Sequence, residues 1–344
     1  MIAILRNGFL ALASNFRSQL LFVLVSILIN AYGLIAVAAP LPSGKSQFEF
    51  TAWPGHEMTV WTFKPVTQGR PMPVVFVMHG VLRNAAEYRD NWSALAKKNR
   101  FLLIVPEFSN KAFPKAAGYV LGNIRTRSGS PVPVDQWAFT MIERIFDHVR
   151  RLESSTEENY QMYGHSAGAQ FVHRYLYYVP NARASKIVIA NAGWYTMPDF
   201  NVTFPYGLYD SGVGGNAVRS ILKRRIVVLL GNQDVDPLHK YLRRTPEAML
   251  QGPHRFARGH KFFETAASTA KILKVPFNWQ LHAVKGAGHN DRKMSGAAVK
   301  WLLAGYQPGS PGWIAACARK YSSFEPHTGL YTTYGGDKRR CRLP

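Results

Sequence analysis

Gly164-His165-Ser166-Ala167-Gly168 lies between an apolar run at 160–163 and an apolar-periodic run at 169–177. A glycine–x–serine–x–glycine pattern between a strand and a helix describes a sharp turn that strains its serine and leaves the hydroxyl exposed. Glycines two places before and two places after keep Cβ atoms from colliding across that turn. The helix that starts there directs backbone N–H groups and positive dipole toward the serine. Ser166 is therefore the candidate nucleophile, against the plainer alternative of a tight turn with an incidental serine.

A serine hydroxyl is a weak nucleophile and needs a base. Of the 11 histidines, His289 in Gly286-Ala287-Gly288-His289-Asn290 is the best placed, in a glycine-rich loop just after the last predicted strand. His282 falls inside that strand, and His239, His254 and His260 read as solvated side chains of a basic stretch. His79 and His165 sit inside backbone motifs, where they brace loops. The base needs an acid to fix its tautomer. Gly231-Asn232-Gln233-Asp234-Val235-Asp236-Pro237 offers Asp234 first and Asp236 second. An oxyanion hole requires two backbone donors. The Ala167 N–H is one, and the Val81 N–H in His79-Gly80-Val81 is the other, with His79 and Gly80 placed at the substrate pocket.

Outward from this motif the chain reads as alternating strands and helices. Strands are predicted at 47–53, 57–63, 73–78, 101–106, 160–163, 186–190, 225–230 and 278–284, with helices at 84–98, 135–151, 169–177 and 292–303. The runs at 73–78 and 101–106 are apolar without alternation, as expected of strands buried on both faces. The pattern predicts an α/β fold with a mostly parallel, doubly wound sheet. The longest segment that fits neither element is 192–215, with Trp194, Tyr195, Phe200, Phe204, Tyr206 and Tyr209. It reads as a lid or pocket wall with Trp194 and Tyr195 nearest the serine, or as an irregular loop with its own small aromatic core.

The chain has 344 residues, 47% of them apolar, which suits one sizeable α/β domain and excludes a disordered chain. Arg6 and Arg17 precede a mostly apolar run over 20–39 that ends in Ala36-Val37-Ala38. Basic start, apolar middle and small residues at the end compose a secretory signal over 1–38, with an uncleaved membrane anchor as the alternative. Residues 39–344 would then form a single exported domain, periplasmic or secreted, ending in a tail at 306–344. Two cysteines exclude a disulfide-dense scaffold and a four-cysteine zinc site, and an oxidising compartment would let Cys317 and Cys341 bridge that tail. No His-Glu-x-x-His or comparable metal-ligand cluster stands in the sequence.

Lys and Arg number 42 against 20 Asp and Glu, a net charge of +22. Between Arg219 and Lys261 stand ten Lys or Arg and three Asp or Glu. A basic surface could meet an anionic membrane or polymer, or simply serve solubility. No nucleic-acid motif accompanies the charge, so no specific nucleic-acid partner is expected.

His79-Gly80, then Gly164-His165-Ser166-Ala167-Gly168, then Gly231-Asn232-Gln233-Asp234, then Gly288-His289, in that strand order, resemble the α/β-hydrolase superfamily. Within it the chain is similar to exported esterases of the poly(3-hydroxybutyrate) depolymerase-like and feruloyl-esterase-like kinds. The resemblance implies hydrolysis of an ester, thioester or amide, in a small or oligomeric substrate, with no cofactor. It does not imply which substrate. An inactive basic binding protein on the same fold and a serine peptidase remain the alternatives.

Overall fold

The central sheet has eight strands in the order β1-β2-β4-β3-β5-β6-β7-β8. They are β1 Gly44–Thr51, β2 Glu57–Lys64, β3 Val74–Met78, β4 Leu102–Pro106, β5 Tyr160–His165, β6 Ala184–Ala190, β7 Ile226–Gly231 and β8 Trp279–Val284. This computed structural model describes residues 39–51, 53, 55–66, 72–304 and 311–341. The predicted signal segment over 1–38 lies outside the described residues, and Leu41–Pro344 forms one compact unit. Strands β3 to β8 pair in parallel, while β1 and β2 add an antiparallel edge that joins β4.

Alternation along the strands supplies both faces. Phe76, Met162, Ile187 and Val228 pack with the helices Met141–Leu152, Ala167–Tyr178, Gly215–Lys223 and Arg255–Ile272. Their chain neighbours Val75, Val77, Tyr163, Val188 and Leu229 meet the helices Ala85–Asn99 and Asp291–Leu302 on the opposite face. Every residue of β3 and β4 is buried, which accounts for their unbroken apolar sequences.

The helix expected over 135–151 begins only at Met141. Before it, Val134–Gln136 is a single 3-10 turn. The Thr140 hydroxyl donates within reach of Val134 O and Trp137 O, tying down this bend. From Met141 onward the spacing holds, and Met141, Ile142, Ile145, Phe146 and Val149 are all buried.

The helix Pro311–Lys320 and a two-stranded ladder, β9 Leu330–Thr332 with β10 Lys338–Arg340, form the C-terminal unit. Trp313, Phe324, Cys317 and Cys341 make its small core, and the two cysteines are disulfide-bonded. So small a core rests heavily on the crosslink. With the cysteines 24 positions apart, replacing both by alanine is expected to cost roughly 3 kcal/mol of the unit's local stability. Limited proteolysis checks this: equal rates of tail cleavage in the variant and the parent would refute it.

Candidate active site

Ser166 follows the last residue of β5 and precedes the helix Ala167–Tyr178. Its backbone has φ 57° and ψ −115°, in the region that non-glycine residues avoid. The neighbouring glycines answer to space. A Cβ on Gly164 would lie 2.3 Å from Gly168 O, and one on Gly168 would lie 2.0 Å from Met78 O. The first is the collision across the turn foreseen in the sequence. The second comes from β3, which the helix approaches closely.

Ser166 Oγ lies 2.9 Å from His289 Nε2, and His289 Nδ1 lies 2.7 Å from Asp234 Oδ2. The other carboxylate oxygen of Asp234 accepts from Arg255 at 3.1 Å. Asp234 and Arg255 are buried, with side chains 3% and 1% exposed. An ionised carboxylate only accepts, so the proton of neutral His289 sits on Nδ1 and Nε2 is free to accept from Ser166. Burial opposes charge on Asp234, but the bonds and charges of His289 and Arg255 outweigh it and hold its pKa below the ordinary carboxylate value. Burial also lowers the His289 pKa. Asp234 pulls it up, Arg255 pushes it down, and the net result is below the usual imidazole value.

Asp236 is exposed and accepts from the Leu238 N–H at 2.8 Å, outside this chain of contacts. Of the two acids offered by the sequence, Asp234 alone meets His289. Val81 and Ala167 line one cavity with Ser166, and neither N–H has a hydrogen-bond partner among the described residues.

His79 does not reach the pocket. It is fully buried, accepts at Nε2 from the Phe108 N–H at 3.0 Å and bonds Gly80 O through Nδ1 at 3.0 Å. Burial pushes its pKa down to about 3, so it braces the loop as a neutral ring. Gly80 does line the cavity beside His289. A Cβ there would stand 2.8 Å from the Tyr88 hydroxyl and would displace it. Tyr88 in turn bonds His165 Nδ1 at 2.9 Å, and the His165 ring lies 4.8 Å from that of His289.

The segment 192–215 divides between its two readings. Trp194 lines a cavity with Ser166 and packs at 4.9 Å on Tyr206 in a small cluster with Ala248. Tyr195, expected beside it, turns into the core and stacks on Phe262 at 4.4 Å, so it is no pocket residue. Its main chain is pinned by Gln251, which accepts from its N–H at 2.8 Å and donates to its carbonyl at 2.7 Å. Buried Arg258 donates to Gly193 O, Gly252 O and Arg243 O, joining three loops behind the wall.

Arg255 and His239 were not singled out by sequence. Arg255 also donates to His239 Nδ1 at 3.0 Å, and the His239 ring stands 5.5 Å from that of His289. His239, expected in solvent, is half-buried at the site. Among the described residues no three His, Cys, Asp or Glu side chains converge as a metal site.

A family described as BA14K-like protein matches residues 313–342, the C-terminal unit. No curated protein matches the chain. Two solved structures are similar over most of its length. Poly(aspartic acid) hydrolase-1 from Sphingomonas sp. KT-1 is 40% identical, with a TM-score of 0.74 over 76% of this chain and 100% of that one. LpqC, a poly(3-hydroxybutyrate) depolymerase from Bordetella parapertussis, is 34% identical, with a TM-score of 0.73 over 78% of this chain and 92% of that one. Identity at this level across nearly the whole of both relatives goes beyond a shared sheet order, and the chain belongs to the α/β-hydrolase superfamily, among its esterase-like hydrolases.

Proposed function

We propose that the protein is an exported serine hydrolase that cleaves carboxylic esters through an acyl-enzyme. Ser166 attacks the carbonyl carbon as its proton passes to His289 Nε2. Asp234 keeps the imidazole oriented and stabilises the imidazolium that forms. The Val81 and Ala167 N–H groups receive the developing oxyanion. His289 then gives its proton to the leaving oxygen, and a water, deprotonated by the same ring, releases the acid. The observation that carries this reading is the unbroken contact from Ser166 Oγ through His289 to Asp234 at 2.9 and 2.7 Å, ending on a serine with φ 57°.

A fluorophosphonate probe tests it directly, because labelling at Ser166 requires an activated hydroxyl. An unlabelled Ser166 would favour the inactive binding protein. An ester panel of varied chain length, with hydroxybutyrate oligomers and feruloyl esters, then narrows the substrate. Amide cleavage is the second reading, favoured by the relative named a poly(aspartic acid) hydrolase, and that polymer joins the panel. Export is supported by the signal-like segment over 1–38 and the Cys317–Cys341 disulfide. N-terminal sequencing should find a start near Ala39, and recovery of Met1 on a membrane-bound form would show an anchor instead.

The base works only when neutral, so kcat/KM should rise with pH through the folded-state pKa of His289. That value is held below the ordinary 6.5. The acidic limb of a pH–rate profile should therefore fall below 6.5, with a plateau at neutral pH. A limb above that value would contradict the assigned electrostatics.

A further inference from the structure

Two adjoining cavities share Ser166, Val81 and Tyr241 in their linings, and their charges differ. The one that contains His289 has a volume of about 380 Å³ and is lined by Glu87 and Asp291 as well as Arg292. The other, about 430 Å³, shares Val81 with the first and adds Ala167, the second proposed oxyanion donor, and Trp194. Its charged lining is Arg83, Lys115, Lys240, Arg243 and Arg255, with no carboxylate. Arg255 is neutralised by Asp234. The remaining four cations form no salt bridge among the described residues. Arg83 is held by the Phe108, Phe113 and Lys115 carbonyls, and Arg243 by the Tyr206 hydroxyl at 2.6 Å.

A fifth cation without a salt bridge among the described residues packs on the Trp194 ring. Two guanidinium groups lie over that ring, Arg174 at 4.0 Å and Arg243 at 4.9 Å from its centroid. Arg174 is fully buried, donates to Thr196 Oγ1 and Gln170 O, and leaves one terminal nitrogen without a partner. Burial draws its pKa down to about 9, so it stays cationic at neutral pH. A buried cation without a carboxylate partner is costly, and an anion bound in the cavity that Trp194 lines would offset that cost.

His289 protonates the leaving group, so the leaving group occupies the cavity that contains His289 and the acyl part occupies the other. We infer that the preferred substrate carries an anionic group, a carboxylate a few bonds from the scissile carbonyl, in its acyl part, received by Lys115, Lys240 and Arg243 beside Trp194. This inference rests on the reading of Ser166 as nucleophile. It adds a polarity that net charge alone does not give: the negative charge belongs on the acyl side of the bond.

Two matched ester pairs test it. Phenyl hydrogen glutarate and its primary amide differ by one acyl-side charge. Para-acetoxybenzoate and para-acetoxybenzamide differ by one charge on the leaving group. The acid of the first pair should be favoured by about tenfold in kcat/KM, the size of one charge-assisted contact, and the acid of the second pair should not be favoured. In Lys115→Gln/Lys240→Gln, and separately in Arg243→Gln, the first ratio should fall toward unity. Lys223→Gln, which removes one charge as Arg243→Gln does but from a helix end that lines neither cavity, should leave it unchanged.

Equal preference in both pairs, or a first ratio that survives both variants, would overturn the inference while Ser166-dependent hydrolysis still stood. If no ester turned over and Ser166 resisted labelling, the nucleophile reading would fall instead. The charge would then be decided by binding of tetra-aspartate against tetra-asparagine to the parent and the same variants. Tighter tetra-aspartate binding that is lost in the variants supports the anion site, and equal binding refutes it.

Discussion

Ser166→Ala is expected to lower kcat/KM on every substrate cleaved by about 10⁴-fold or more, with the fold intact. Nothing else at the site can replace the lost atom. His165 and His239 lie near His289, but no second hydroxyl among the described residues shares its Nε2. His289→Ala should cost nearly as much, and the double variant scarcely more, because nucleophile and base act as one unit. Steady-state kinetics on the three proteins measure this, with fluorophosphonate labelling as an independent count of active sites. Circular dichroism must show the parent's secondary structure in each. The alanine keeps a Cβ at φ 57°, so its backbone strain persists, whereas Ser166→Gly relieves it and should melt higher. Full activity in Ser166→Ala would remove the basis of the functional reading.

Local steric demands made the nucleophile turn legible. Gly164 and Gly168 are dictated by backbone atoms 2.3 and 2.0 Å from where their Cβ atoms would be, and such demands write themselves into short motifs. The parallel strands were readable because burial on both faces leaves no polar alternation in 74–78 or 102–106. Asp234 and His289 could be nominated because parallel strands bring their carboxyl ends to one edge.

What stayed hidden depends on packing between distant segments. Arg255 opens a helix in a basic stretch and resembles its solvated neighbours until that helix is set against β7, which puts the guanidinium on Asp234. His239 follows the same loop inward. Trp194 and Tyr195 are adjacent, and only the hydrogen bonds of Gln251 and Arg258 to the main chain decide which ring faces the cavity. The sequence offers His79 both as a loop brace and at the substrate pocket, and the Phe108 N–H, by using its Nε2, leaves it the brace. The tail was read as a bridged segment, but its helix and ladder carry too few apolar residues for periodicity to show.

Asp234→Asn is expected to lower kcat/KM by roughly 10³–10⁴-fold, through the proton on His289 rather than through loss of structure. Arg255 determines the outcome. Its guanidinium is donor-only and lies 3.1 Å from one oxygen of the side chain. An asparagine must therefore turn its carbonyl to Arg255 and present its NH₂ to His289 Nδ1. Only the tautomer with Nδ1 unprotonated can accept from that group. The proton then sits on Nε2, pointing at Ser166, and the ring cannot take the serine's proton. Burial and Arg255 would still depress the imidazole pKa after the supporting carboxylate is gone, so the acidic limb should move lower while the plateau falls. Asp236→Asn removes a charge felt by Arg255 and His239 and alters an exposed contact with the Leu238 N–H, but it touches no hydrogen bond of His289 and should stay close to the parent. Kinetics across pH on the two variants decide the assignment. A severe loss in Asp236→Asn with activity retained in Asp234→Asn would transfer the role of acid to Asp236.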